Sequence, residues 1–176
     1  GGADCRKKRS RKMKKKTLKT ISVLLGAVSA AFALTAVFLI FADAVSTTVL
    51  KKDYTYTGAQ VVFGYARGTG ALKTWVFHFN ILAFIAYFLP LAGGALAFFA
   101  KSKGMCAAAF LCFVVSAVLL FLMPELSTLF IGDQLTGDSE ALVFALNVGA
   151  ILAGVFSALG GILAIAKNFF LPANKK

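Results

Sequence analysis

The chain has 176 residues, of which 59% are hydrophobic and 15% are charged, and its mean hydropathy is +0.82. These values exclude an ordinary soluble globular domain and are typical of an integral membrane protein. The formal net charge of +12 would suit a nucleic-acid-binding protein, but the basic residues cluster at one terminus, which favours a membrane surface instead.

Residues 1–17 form a basic arm in front of the first apolar segment. We predict that it sets the orientation of the chain, because such charge marks the cytoplasmic end of a membrane span. A second interpretation is contact with anionic lipid of the inner leaflet, where each basic residue gains about 1 kcal/mol. A third is docking of an acidic cytoplasmic partner, with nucleic acid the least favoured partner. The lipid-contacting or partner-contacting residues would be Arg6, Lys7, Lys8, Arg9, Arg11, Lys12, Lys14, Lys15 and Lys16.

Four apolar segments, each close to the roughly 20 residues that cross a bilayer, predict an all-α integral membrane protein with a four-transmembrane-helix bundle. The predicted spans are 18–42, 74–100, 105–123 and 141–166. The segments that join and follow them are a β-containing outer loop at 43–73, an inner turn at 101–104, a second outer loop at 124–140 and a tail at 167–176.

The distribution of basic residues predicts which ends are inside. Fifteen of the nineteen Lys and Arg residues fall in the arm, the 101–104 turn and the tail, or just inside the first span. By the positive-inside rule, both termini are therefore cytoplasmic. We expect a multi-pass protein of the plasma membrane.

The first outer loop is rich in β-branched and aromatic residues interrupted by turn residues, a pattern of strands and turns. We favour a small extracellular sheet with strands over 45–50, 54–57 and 60–65; the alternative for 58–65 is a short interfacial helix. In the second loop, residues 126–131 should pack on the first loop. Asp138, Ser139 and Glu140 should cap the fourth span.

Small and polar residues recur at helical spacing along the first and fourth spans. They are Ser22, Gly26 and Ser29 in the first span, and Asn147, Gly154, Ser157 and Gly161 in the fourth. Such stripes let helix backbones approach closely in lipid. We interpret them as buried helix-packing faces; the alternative is that one of them faces a partner or a second copy.

Four polar residues fall near the predicted outer ends of the spans: Asp43, His78, Asn80 and Asn147. They would line an outer polar pocket in which His78 titrates against Asp43. The simpler interpretation, which we favour, is that they serve the helix ends. Apart from Lys19 at the start of the first span, no Asp, Glu, Lys or Arg lies inside the predicted spans, which argues against an ion-coupled transporter.

Catalytic signatures are weak. The chain has one histidine and three cysteines without paired spacing, so we predict no metal site, no disulfide framework, no cofactor and no enzymatic activity.

Three stretches carry a resemblance: Tyr56-Thr57-Gly58-Ala59-Gln60-Val61-Val62-Phe63-Gly64, Phe79-Asn80-Ile81-Leu82 and Leu89-Pro90-Leu91. They resemble small uncharacterised four-span proteins of Gram-positive bacteria and their wall-less relatives, over the first outer loop and the second span. The resemblance implies a bacterial plasma membrane and no known activity. The layout is also similar to claudin-type tetraspans in architecture alone, since the cysteine pair of their first loop is missing.

Together these features predict a non-enzymatic accessory or structural subunit of a membrane assembly. Its partners would be membrane lipids together with other membrane subunits or further copies of itself. The alternative is a small oligomeric transporter or pore for a neutral or apolar solute.

Overall fold

A computed structural model describes residues 2–49, 51–68, 74–131 and 143–171, with side chains from residue 16 onward except at residues 49 and 74. These ranges contain six α-helices, five strands and a short 3-10 turn (Leu39–Phe41). The helices are α1 (Gly2–Phe38), α2 (Gly58–Phe63), α3 (Ile81–Phe99), α4 (Lys103–Phe121), α5 (Met123–Thr128) and α6 (Val148–Phe170). The strands are β1 (Asp43–Val49), β2 (Lys52–Thr57), β3 (Tyr65–Arg67), β4 (Thr74–Phe77) and β5 (Phe144–Leu146).

The fold is mostly helical and is built on a bundle of α1, α3, α4 and α6. Within the described residues, these are the four helices long and apolar enough to cross a membrane, with the first candidate span at Lys16–Phe41. This confirms the prediction of four apolar spans. Around the bundle, α1 and α4 each pack against both α3 and α6.

The strands gather at one end of the bundle, which we call the sheet end. β1 pairs with β2 and β5 in an antiparallel sheet of order β2-β1-β5, while β3 pairs with β4. A core of buried side chains joins the strands to the helices and includes Val45, Phe77, Tyr87 and Met123. The strands therefore rest on the helix ends.

One predicted strand is a helix. Residues 60–65 were expected to be extended, but α2 occupies most of this stretch because Thr57 and Gln60 form a capping box. The Thr57 hydroxyl accepts a hydrogen bond from the backbone N–H of Gln60 at 3.3 Å. The side-chain oxygen of Gln60 accepts one from the backbone N–H of Thr57 at 3.0 Å. Since these bonds satisfy backbone groups that open a helix, the interfacial-helix alternative describes α2 better.

The bounds of the spans also differ from prediction. The second span begins at Ile81 instead of residue 74, because β4 pairs with β3 and Asn80 caps α3. The fourth begins at Val148 instead of residue 141, with Asn147 as its cap. Asp138, Ser139 and Glu140, expected at that cap, lie outside the described residues.

At the opposite end of the bundle three helices extend beyond their predicted limits. α1 begins at Gly2 instead of residue 18, so the basic arm continues the first helix. α4 begins at Lys103 instead of residue 105, with the Ser102 side chain accepting from the Met105 amide at 3.3 Å. α6 runs to Phe170, past the predicted limit at residue 166.

Candidate functional site

The four residues of the predicted outer pocket have different environments and do not form one site. Asp43 and His78 are exposed, and the His78 ring stacks on Trp75 with a centroid distance of 6.0 Å. Asn147 caps α6 by accepting from the Val148 amide at 2.8 Å. Among the described residues, no hydrogen bond or ion pair joins the side chains of any two of the four.

Asn80 connects three elements of the sheet end. It is fully buried, and its side-chain amide donates to the Leu126 carbonyl at 2.8 Å. Its side-chain oxygen accepts from the Ala83 amide at 2.9 Å, and its backbone amide donates to the Val62 carbonyl at 3.0 Å. Asn80 therefore fixes α2 and α5 against the start of α3.

The predicted packing faces of the first and fourth spans lie largely between helices. Ser22 and Ser29 are buried, and the Ser29 hydroxyl donates to the Gly160 carbonyl at 2.8 Å. At Gly26, an added Cβ would lie 2.9 Å from the Ala97 carbonyl oxygen. These are the close backbone approaches that small residues permit.

The centre of the bundle is filled by aromatic rings set against glycines. An added Cβ would lie 2.7 Å from the Phe113 ring at Gly160 and 3.1 Å from it at Gly93. At Gly161 the nearest atom would be the Phe113 Cβ, at 3.0 Å, and at Gly154 it would be the Phe121 ring, at 3.0 Å. The interlocking contacts leave little room between the helices at this level.

Two buried hydroxyls lie in the same layer. Ser116 and Ser157 are 3.2 Å apart, and Ser116 also donates to the Ala86 carbonyl at 2.7 Å. Both serines are fully buried, so this bond pattern ties α3, α4 and α6 together.

The predicted contact residues of the basic arm belong to α1. Residues 6–15 are helical in backbone, and their side chains lie outside the description. Lys16, the last residue of the arm set, is exposed.

A polar groove of about 400 Å³ crosses the exposed face of the three-stranded sheet. Cross-strand pairs place Ser46 opposite Thr55 and Thr48 opposite Asp53, and the Thr48 hydroxyl donates to the Asp53 carboxylate at 2.6 Å. The other face of β1 buries Val45 in the core. The groove thus presents hydroxyl groups and the Asp53 carboxylate to its surroundings.

The other end of the bundle holds a feature absent from the sequence interpretation. Lys167 is 2% exposed, and its Nζ donates to the Ala97 carbonyl at 2.6 Å and to the Phe98 carbonyl at 3.1 Å. These carbonyls close α3, whose C-terminal end carries partial negative charge. Within the described part of the chain, Lys167 forms no ion pair with a carboxylate.

Lys167 borders a cavity of about 680 Å³ between residues 18–23 of α1 and the C-terminal ends of α3 and α6. Two further lysines, Lys19 and Lys101, line it, together with the polar residue Ser22. We call this region the lysine end. The remaining wall is apolar and consists of Leu18, Val23, Phe98, Phe99, Ala100, Phe169, Phe170 and Leu171.

The cavity beside Lys167 is absent from the sequence prediction because the predicted fourth span ends too early. The predicted end of the fourth span at residue 166 places Lys167 in the cytoplasmic tail, whereas α6 continues to Phe170. The apolar residues Phe169, Phe170 and Leu171, which follow Lys167 and Asn168, are the signal that the span continues past Lys167.

Comparisons of the chain with protein-family models, curated proteins and solved structures return no match. The resemblance to small bacterial four-span proteins therefore stays a prediction.

Proposed function

We propose that the protein is a non-enzymatic subunit of a membrane assembly, inserted in a plasma membrane with both termini on the cytoplasmic side. The filled bundle is the observation that carries this proposal. Phe113 is packed against Gly93, Gly160 and Gly161, and the neighbouring hydroxyls of Ser116 and Ser157 are used in bonds between helices. A solute path needs a polar or open lining, whereas a subunit that presents surfaces needs a rigid frame.

The exposed face of the sheet is the surface offered to a partner on the outer side. It carries Ser46, Thr48, Asp53 and Thr55 beside a groove, and Thr48 and Thr55 are exposed. Hydroxyls and a carboxylate suit the polar, hydrogen-bonded contact typical of a non-obligate interface. The basic arm supplies a second contact on the cytoplasmic side.

Crosslinking and affinity isolation from native membranes test this function. Thr55→Arg places a bulky charge in the groove and should reduce recovery of a stoichiometric partner at least about tenfold, since a misplaced charge at an interface costs several kcal/mol. Glu125→Gln is the matched control, because it adds the same net charge at an exposed position of α5 outside the groove. Equal recovery with both variants would contradict a docking role for the sheet.

Liposome flux measurements separate this function from the transport alternative. The pure protein should give no flux of neutral solutes above that of protein-free vesicles. Flux that rises with protein content would overturn the subunit proposal in favour of a pore.

Single-cysteine labelling tests the orientation. In a chain with Cys5, Cys106 and Cys112 replaced by alanine, Thr55→Cys should react with an impermeant maleimide added to intact cells. Gly104→Cys, at a position where an added Cβ meets no atom within 4 Å, should react only after the membrane is opened. The reverse pattern would refute cytoplasmic termini.

A further inference from the structure

We propose that the cavity at the lysine end binds one anionic phospholipid, whose phosphate lies among Lys19, Lys101 and Lys167 and whose acyl chain covers the apolar wall. This site is separate from the basic arm, and it rests on the membrane setting alone, independent of any partner of the sheet.

The buried ammonium of Lys167 calls for an anion. A buried charge is costly unless it is paired, and the two carbonyls of Ala97 and Phe98 offer partial charges only. An ammonium group has three N–H donors, of which two are directed at these carbonyls. The third donor is left for a ligand in the cavity that Lys167 borders.

The other charges of the cavity have the same sign. Lys19 and Lys101 line it together with Lys167, and no carboxylate is among its described lining residues. Three like charges around one space repel one another, and an anion between them replaces that repulsion with attraction. Phosphate is a suitable group because several lysines can donate to its oxygens at once.

The apolar wall distinguishes a lipid from a free anion. Phe99 is 65% exposed and Phe169 is 84% exposed, and both line the cavity beside Val23 and Leu171. A water-soluble phosphate would leave the apolar wall without a matching ligand surface, whereas an acyl chain packs along it. The volume of about 680 Å³ accommodates a headgroup and the first part of a chain.

The position of the cavity agrees with this ligand. It lies where candidate spans end, at Phe99 of α3 and near Phe170 of α6, which is the depth of lipid phosphates in a bilayer. Basic pockets between transmembrane helices on the cytoplasmic side are known sites for anionic headgroups.

Native mass spectrometry of the full chain, purified in a zwitterionic detergent, provides the test. Phosphatidylglycerol should bind at one molecule per chain. The double variant K19Q/K101Q should weaken this binding at least about tenfold, while K16Q/K103Q should leave it within about twofold. The two variants remove the same charge from the same end of the bundle, but Lys16 and Lys103 are exposed residues outside the cavity.

Three results would overturn the proposal. Equal weakening by both double variants would mean diffuse attraction to the basic surface. Equal binding of phosphatidylcholine would mean that the negative headgroup is not selected. Glycerol 3-phosphate binding as tightly as phosphatidylglycerol would mean a site for a free anion.

A second pair of variants tests the acyl-chain wall without removing charge. Val23→Trp fills the cavity and should abolish the one tightly bound phosphatidylglycerol, whereas Val28→Trp, on α1 but outside the cavity, should not. Retention of the lipid by a folded Val23→Trp protein would contradict the assignment.

Discussion

Two buried polar side chains at opposite ends of the bundle, Asn80 and Lys167, differ in how completely their hydrogen-bonding groups are used. At the sheet end, Asn80 uses its amide nitrogen, its side-chain oxygen and its backbone groups in hydrogen bonds to Leu126, Ala83, Val62 and Phe84. At the lysine end, Lys167 carries a full charge whose described partners are two carbonyl oxygens. The first arrangement is complete within the chain, and the second leaves capacity for a ligand.

This difference indicates that Asn80 and Lys167 have different roles. A fully bonded polar group fixes the elements around it, so the sheet end holds its outward surface in one arrangement. Functional sites commonly contain a buried charged group beside an open cavity. The buried Asn80 network therefore supports the outward face of the sheet, whereas the lysine end combines a buried lysine with a cavity.

The largest effect should come from breaking the completed network. Asn80→Ala removes the cap of α3 and leaves the buried Leu126 carbonyl without its donor, so the free energy of unfolding should fall by about 3 kcal/mol. Titration with sodium dodecyl sulfate in mixed micelles measures this quantity, and the fluorescence of Trp75, the one tryptophan of the chain, reports the transition.

Asn147→Ala is the matched control for Asn80→Ala. Asn147 also caps a bundle helix, but it is partly exposed and its side-chain oxygen accepts from the adjacent Val148 amide. Its loss should cost about 1 kcal/mol. Equal losses for the two variants would show that Asn80 is an ordinary cap and would remove the contrast between the ends.

The parts of the fold that depend on local composition could be predicted from the sequence. A span of about 20 apolar residues is such a property, and four helices of that kind are present. The role of Asn80 could not be predicted, because its partners Val62 and Leu126 are 18 and 46 positions away and meet it only after folding.

Two features that differ from the prediction, the helix α2 and the burial of Lys167, have a signal in the sequence. The spacing Thr57-Gly58-Ala59-Gln60 is a capping-box signature, but the β-branched Val61 and Val62 that follow it favoured a strand. Lys167 is buried because α6 continues to Phe170, whereas a lysine after a long apolar run predicts the end of a span. In the first case the β propensity conflicts with a helix-start signal, and in the second a charged residue conflicts with the apolar residues that follow it.

The second test compares a closely packed glycine at the sheet end with an open glycine at the other end of the bundle. An added Cβ at Gly149 would lie 2.6 Å from the Asp43 carbonyl oxygen and 2.9 Å from the Ala42 Cβ, and this backbone cannot move aside without disturbing β1. Gly149→Ala should therefore lower the free energy of unfolding by about 1–3 kcal/mol, measured in the same micelle titration.

Gly104→Ala is the counterpart at the lysine end. No atom lies within 4 Å of its added Cβ, and the residue is in the first turn of α4. Replacing a helical glycine without strain should raise the free energy of unfolding by about 0.5 kcal/mol. A loss at Gly104 as large as that at Gly149 would show that both ends are close-packed.

The third test asks whether Lys167 contributes to stability or to binding. Lys167→Met gives up two hydrogen bonds to carbonyls but also removes the cost of burying a charge, so the free energy of unfolding should change by less than about 1 kcal/mol. The protein should at the same time lose the additional thermal stability that phosphatidylglycerol gives the wild type.

Lys103→Met is the control, because Lys103 is exposed at the same end and lies outside the cavity lining. It should keep the stabilisation by phosphatidylglycerol. If Lys167→Met instead destabilised the lipid-free protein as strongly as Asn80→Ala, the lysine would belong to a closed structural network and the two ends would not differ.

The smallest effect concerns the titration of the sheet end. Tyr56 of β2 is half-buried, and its ring meets that of Phe77 edge-on at 4.9 Å. Burial raises the pKa of its hydroxyl above the ordinary value of 10.0, and the positive charge of Arg67 opposes this rise. Because the unfolded chain then loses the proton first, the stabilisation is present below about pH 10 and is lost as the pH rises through the folded pKa.

Thermal unfolding between about pH 9 and pH 11 measures this loss. The midpoint of the wild type should fall more steeply with pH than that of Tyr56→Phe, which has no proton to release. Tyr54→Phe, on the same strand but facing the charged groups of Lys52 and Arg67, controls for the removal of a hydroxyl. An identical slope for wild type and Tyr56→Phe would mean that water reaches this ring in the folded state, and that the sheet end is less closed than its Asn80 network indicates.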